Sequence, residues 1–320
     1  MSATASRCSI VIPVYNRAAL TIACLERILE HPPQCSYELI VVDDASSDDT
    51  GERLQRFGDA IRIVRHEQNA GFARSCNDGA AAGGGEFLVL LNNDTLPEPG
   101  WLDALVRHAD AHPAAAVVGA KLLFPDGTVQ HAGVTICQDL HPRHVYAGFP
   151  ADHPAVSRSR QFQIVTGACA LFRRGVFDAL GGLDESYRNG YEDVDFCLRA
   201  GSHGHEVHYC HESVLMHLES ASRDRSLDND VNGRLYLERW GPRLRPDDLQ
   251  TFVADGLLEL NYTELYPLRF ALAPELGSID DSTELALRTA RLGAERSRQV
   301  FRLLQENIRL TVEAQERRSN

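Results

Sequence analysis

With 320 residues and a net charge of −13, the chain is long enough for one sizeable α/β domain plus an appendage, and its charge argues against non-specific binding to nucleic acid or to an anionic membrane surface. Apolar residues make up 43% and charged residues 24%, the balance of an ordinary globular protein, which excludes a chain disordered throughout. The eight cysteines contain no CxxC pair and predict reduced, buried thiols, and Lys121, the one lysine, leaves no lysine-centred phosphate loop near the N-terminus.

No stretch reaches the length of a transmembrane helix, and the opening "MSATASRCSIVIPVYN" lacks the pattern of a secretory signal, so a cytoplasmic protein is expected. In chain order, "CSIVIPVYN" is a β-branched run stopped at a polar turn, and a helical pattern follows from Ala18 to about Leu29. "YELIVVDDASSDDTGERL" repeats the arrangement, a strand ending at Asp43 and Asp44, with Asp49 and Glu52 spaced as a capping box for the next helix. "IRIVRH" and "GFARSCNDGAAA" form a third strand and helix; "EFLVLLNND" is a fourth strand, a helix starts near Trp101, and "AAAVVGAKLLF" is a further strand.

Strands that are almost continuously apolar and alternate with helices predict a mostly parallel central sheet with helices on both faces. In such sheets ligands bind beyond the carboxyl ends of the strands, where "PVYN", "VDDAS" and "NNDT" converge. After residue 125 the pattern loosens into loops and short strands, then recovers in a helix from Glu192 to Ala200 and a strand over "HEVHYC". The histidines of that stretch, His203, His205, His208 and His211 with Cys210, match no zinc-finger spacing, and alternation along a strand splits them between two faces. Beyond residue 241 the character changes, and Leu285, Leu292, Phe301, Leu304 and Ile308 mark a long amphipathic helix.

Seven segments, "SIVIPVYNR", "ELIVVDDASSDDT", "NAGFARSCNDG", "LLNNDT", "GGLDE", "YEDVDFCLR" and "VLMHLES", resemble in order and spacing the inverting glycosyltransferases of family 2, and most closely their bacterial rhamnosyltransferase-like branch. The resemblance spans about residues 7 to 240 and implies the GT-A fold, with a nucleotide-sugar half over about 1–125, an acceptor half over about 126–240, and a C-terminal helical extension over 241–320. It implies transfer of a hexose or deoxyhexose from a UDP- or dTDP-sugar to a hydroxyl of a glycan or lipid-linked acceptor, as in bacterial surface polysaccharide synthesis. Mn²⁺ or Mg²⁺ is the implied cofactor.

Residue by residue, Asp94 matches the last aspartate of the family's DXD motif and is expected on the metal with His217 of "VLMHLES", although Asn92 stands where relatives carry an acid. Pro13, Tyr15, Asp43, Asp44, Arg74, Asn92 and Asn93 fall at nucleotide-binding positions, with Asp44 accepting from the base. A carboxylate there favours uracil or thymine, whose ring N–H it can accept. Asp193 matches the catalytic base, with Glu192 orienting the acceptor and Asp195 structural; Thr166, Gly167 and Ala168 fall on the acceptor side and Ser222 at a phosphate. Two other readings stay open: a degenerate nucleotide-sugar-binding module, because of Asn92, and a sugar nucleotidyltransferase, disfavoured because "PVYNR" replaces a glycine-rich loop. The C-terminal stripe could pack on the domain, pair two subunits as a homodimer, or dock a membrane-associated partner at the inner face of the membrane, and its mixed charge makes direct insertion the weakest of these readings.

Overall fold

The computed structural model describes residues 6–218, 225–261 and 269–273. The N-terminal half alternates strand and helix: β1 (Cys8–Val14), α1 (Ala18–Glu30), β2 (Tyr37–Asp43), α2 (Thr50–Leu54), β3 (Arg62–Arg65), α3 (Phe72–Ala82), β4 (Phe87–Leu91), β5 (Thr95–Pro97), α4 (Trp101–Ala111) and β6 (Ala115–Leu123). Short strands follow, β7 (Val129–His131), β8 (Val134–Ile136), β9 (Pro142–His144) and β10 (Arg160–Phe162), and then β11 (Cys169–Arg173), α5 (Arg174–Ala179), α6 (Glu192–Ser202) and the long β12 (Glu206–His217). The chain continues through α7 (Arg225–Trp240), α8 (Asp248–Ala254) and the hairpin of β13 (Leu258–Asn261) with β14 (Arg269–Leu272).

Among the described residues one mixed sheet runs in the order β10-β12-β6-β11-β4-β1-β2-β3, with β5 and β7 paired at its side. The pairs β1–β2, β1–β4 and β2–β3 are parallel, as expected for strands whose crossovers are helices. The antiparallel β11 is inserted between β4 and β6, and β12 runs parallel to β6 with a bulge between Cys210 and Val214.

The pleat divides each strand between two cores. Ile10 and Ile12 pack with α1 and α4, through Leu25, Trp101 and Leu105, while Val11 faces α3 and α6, through Cys76 and Phe196. The α3 layer lies so close to the sheet that a β-carbon at Gly79 would meet Val11 at 2.3 Å, which is why glycine stands there.

One expectation is corrected. Asp49 makes no side-chain capping bond, so the predicted capping box does not form; Asp48 receives the Thr50 amide at 3.0 Å instead, and the helix it opens is only five residues long. The described part of the chain after residue 240 packs on the domain. Trp240, Leu244, Phe252, Leu257 and Leu258 belong to the same core as α3 and α6, and Asp247 exchanges bonds with Ile136 at 2.8 and 3.0 Å. The predicted stripe from Leu285 to Ile308 lies outside the described residues.

Candidate active site

The polar turns at the carboxyl ends of β1, β2 and β4 lie side by side, because the parallel register places Val14 opposite Asp43 and β4 alongside β1. Between the first two, Asn16 and Arg17 adopt left-handed backbone (φ 58° and 61°). Asn16 ties its turn to the next, its amide donating to Ser46 Oγ at 2.8 Å and its Oδ1 accepting from the Ser47 amide at 2.8 Å. Pro13 is buried in β1 and Tyr15 is 53% exposed at the mouth.

Asp43 and Asp44 are both buried. Asp43 accepts from the Ser46 amide at 2.9 Å and pairs with Arg65. Asp44 accepts from the amides of Ala70 (2.7 Å) and Gly71 (2.9 Å), and its Oδ1 lies 2.8 Å from His66 Nδ1. A base N–H reaching Asp44 therefore joins donors already on that carboxylate. Arg74, half-exposed on α3, has Asp78 (2.7 Å) and Glu185 (3.5 Å) as partners.

At the end of β4 the three polar residues face three ways. Asn92 donates its amide to Ala168 O at 2.8 Å, while its side-chain Oδ1 is buried with no partner among the described residues. Asn93 turns to α1 and donates to Thr21 Oγ1 at 2.9 Å. Asp94 turns to the end of β12, where its Oδ1 lies 3.0 Å from His217 Nε2. The pairing of β5 with β12, Thr95 opposite His217, fixes that meeting.

Behind His217, Gln130 Oε1 lies 2.5 Å from Nδ1. The imidazole is thus held between the Gln130 amide and the Asp94 carboxylate. A carboxylate and an imidazole side by side make a donor pair that suits a hard or borderline divalent ion with positions left for phosphate. A separation of 3.0 Å also matches adjacent ligands of an octahedral ion with bonds of about 2.1 Å. The residues fit the implied Mg²⁺ or Mn²⁺.

The acceptor-side residues are one short segment away. Ala168 O holds the Asn92 amide, and the Gly167 amide donates to Asp193 Oδ2 at 2.7 Å. Thr166 donates its amide to His131 Nε2 at 3.2 Å. His131 is fully buried and its Nδ1 faces Ala120 O at 2.8 Å, and burial, with His144 nearby, holds its pKa down to about 3, so the ring stays neutral. Thr166, Gly167 and Ala168 thereby link the Asp94 cluster to Asp193.

Asp193 and Glu192 open α6 behind a turn in which Asn189, Gly190 and Tyr191 all have positive φ (52°, 145°, 73°), a costly backbone that only surrounding bonds sustain. Asn232 supplies them, accepting from the Arg188 amide and donating to the Arg188 and Gly190 carbonyls. Asp193 is half-buried and its Oδ1 also accepts from the Val194 amide at 2.8 Å. Glu192, buried, accepts from the Gly190 amide at 2.6 Å. Asp195 is held by Trp240 Nε1 (2.9 Å) and Arg199 Nε (2.7 Å). Ser222 lies outside the described residues.

Gln130, His131 and Asn232 were not singled out by sequence reasoning. They sit in stretches without apolar periodicity, and the one available signal was a pair of polar side chains, Gln130 and His131, in an otherwise apolar local run.

The model of the family described as glycosyl transferase family 2 matches residues 9–181. The chain is 34% identical over 247 residues to an O-antigen biosynthesis protein, RfbC, of Myxococcus xanthus, covering 74% of this chain and 19% of that protein. It is 27% identical over 210 residues to an N-acetylglucosaminyl-diphospho-decaprenol L-rhamnosyltransferase of Mycobacterium tuberculosis, covering 58% and 68%. The chain spans a quarter or less of the length of the curated relatives it matches at 33% and 34% identity. In fold it resembles the mannosyltransferase PcManGT of Pyrobaculum calidifontis, solved with GDP-Man and Mn²⁺ (TM-score 0.57, 18% identity, 97% of this chain and 81% of that one). No helix among the described residues is long and apolar enough to cross a membrane. With the family model spanning more than half of the chain and the strand-end clusters in place, the chain belongs to glycosyltransferase family 2, with the GT-A fold.

Proposed function

We propose that the chain is a metal-dependent, inverting glycosyltransferase that moves a hexose or deoxyhexose from a UDP- or dTDP-sugar to a hydroxyl of a glycan or lipid-linked acceptor in polysaccharide synthesis. The reading is carried by one arrangement: Asp94 with His217, and Asp193, lie on two sides of the Thr166–Ala168 segment that bonds to both Asn92 and Asp193.

Asp94 and His217 would hold Mn²⁺ or Mg²⁺, which when bound neutralises charge building on the departing diphosphate. Gln130 keeps the imidazole turned to that position. Pro13, Tyr15, Asp43 and Asp44 form the floor and rim of the base site. Arg74 serves the phosphates only by leaving Asp78, and Ser222 is assigned to them by resemblance.

The acceptor hydroxyl attacks the anomeric carbon from the face opposite the leaving group, its oxygen forming the new bond as the bond to the diphosphate breaks, and Asp193 takes its proton. The Gly167 and Val194 amides orient the carboxylate while leaving lone pairs for that proton. Glu192, bonded to the Gly190 amide, keeps the turn that presents Asp193 beside the acceptor.

Calorimetric titration with UDP, dTDP, GDP and CMP, each with and without Mn²⁺, tests the reading. Manganese-dependent binding of UDP or dTDP, lost in Asp94→Ala, is expected; no binding of any nucleotide would overturn the reading, and binding with no sugar transfer would leave a degenerate binding module in place of an enzyme.

A further inference from the structure

A second group of side chains lies away from this cluster. His108 lies in the last turn of α4 and His112 is the residue just past its end, its amide still bonded to His108 O at 3.1 Å, and His208 faces them from β12. One ligand nitrogen from each of the three falls within 4.8 Å of the others. The ring centroids are 4.2 Å (His108–His112), 5.1 Å (His108–His208) and 5.0 Å (His112–His208) apart.

Each ring has its other nitrogen placed by the protein or turned toward its neighbour. His112 Nδ1 lies 2.8 Å from His108 O, which fixes that nitrogen as donor and leaves Nε2 with a lone pair. His208 Nε2 lies 2.8 Å from Glu206 Oε2, so Nδ1 carries the lone pair and points at His108 Nε2, 2.9 Å away. Imidazoles whose far N–H is held by a carbonyl or a carboxylate are the usual form of histidine ligands to a metal. His208 is buried, His108 partly so, and His112 is exposed, giving an ion a path in from solvent.

We infer that His108, His112 and His208 form a transition-metal site, with Zn²⁺ as its ion and water completing the fourth position, that fastens α4 to β12. Three imidazoles suit Zn²⁺ far better than Mg²⁺ or Mn²⁺, so the site takes a different ion from the one at Asp94. It stands nine residues before His217 on the same strand, roughly 20 Å at strand rise because the bulge between Cys210 and Val214 takes up three of them, and it holds the helix that begins four residues after β5, the strand that pairs with the end carrying His217. The histidines grouped by sequence proximity on β12 do not make this site; its other two ligands come from the last turn of α4 and the residue that caps it.

The test uses the full chain carrying Asp94→Ala, so that the other cation position does not contribute, dialysed free of metal and titrated calorimetrically with ZnCl₂. Co²⁺ absorption reports the coordination geometry. One equivalent of Zn²⁺, tetrahedral Co²⁺ bands, a rise in melting temperature on adding Zn²⁺, and at least tenfold weaker binding in His112→Ala, an exposed position whose change leaves the fold intact, are expected. Absence of a single-equivalent site in the parent, or Zn²⁺ binding unchanged in both His112→Ala and His108→Asn, would overturn the assignment and leave the three rings as a hydrogen-bonded cluster only.

Discussion

The part from β1 to β5, the proposed nucleotide half, and the part from β7 to α6, the proposed acceptor half, build their polar clusters by different means. From β1 to β5 each functional residue caps a strand of a parallel sheet, so its position follows from where the strand stops. From β7 to α6 the residues are held by bonds between side chains and distant backbone: His131 to Thr166, Asp193 to Gly167, Gln130 to His217, Asn232 to the turn before α6. Strand ends are robust to the loss of one bond; a mesh of single hydrogen bonds is not.

The sharpest way to break that contrast is Asp193→Asn, which keeps the shape and removes the base. A loss of about 10²–10⁴ in kcat is expected with donor affinity unchanged; wild-type turnover would move the base elsewhere. Next, Gln130→Ala leaves every ligand in place but frees the His217 ring, and Mn²⁺ affinity measured through nucleotide binding should weaken by about 10–100-fold. An unchanged affinity would make the strand pairing alone sufficient to orient His217.

In the nucleotide half the scaffold itself is the sensitive part. Gly79→Ala drives a methyl into Val11 and Val42, and a loss of about 1–3 kcal/mol in urea unfolding is expected with site chemistry preserved in the folded fraction. The smallest effect is on pH. The His131 pKa is about 3 when folded against 6.5 unfolded, so its contribution is fully present above pH 6.5 and is lost as the pH falls towards 3. At pH 5.5 the loss from this group alone is about 1 kcal/mol, and His131→Gln should flatten that part of the profile.

The same contrast explains what could be read without coordinates. A β-branched run ending in Asp43–Asp44 or Asn92–Asp94 states both the strand and the polar edge, because apolar continuity and its abrupt end are local properties. The capping box at Asp49 and Glu52 is local too, yet it does not form: Asp49 makes no capping bond, and Asp48 takes the Thr50 amide at the start of a helix only five residues long. Gln130 and His131 act on residues 87 and 35 positions away, and His208 meets His108 across 100 positions. No periodicity encodes such pairings; they exist only once the sheet has set which segments are neighbours. The change of composition near residue 240 is legible in the sequence, and the packing of Leu244, Phe252 and Leu257 on the core beyond it is not, because it pairs residues far apart in the chain.

The antiparallel strand β11 deserves a last consequence. Paired to β4 on one side and β6 on the other, it makes the two halves one continuous sheet with no seam. Opening and closing by a swing of one half against the other is therefore closed to this molecule, and adaptation to a new acceptor has to be local. Exchanging the stretch between β8 and β10 for that of a relative, with β11 and α6 untouched, should change what is glycosylated while the distance between donor and base stays as it is.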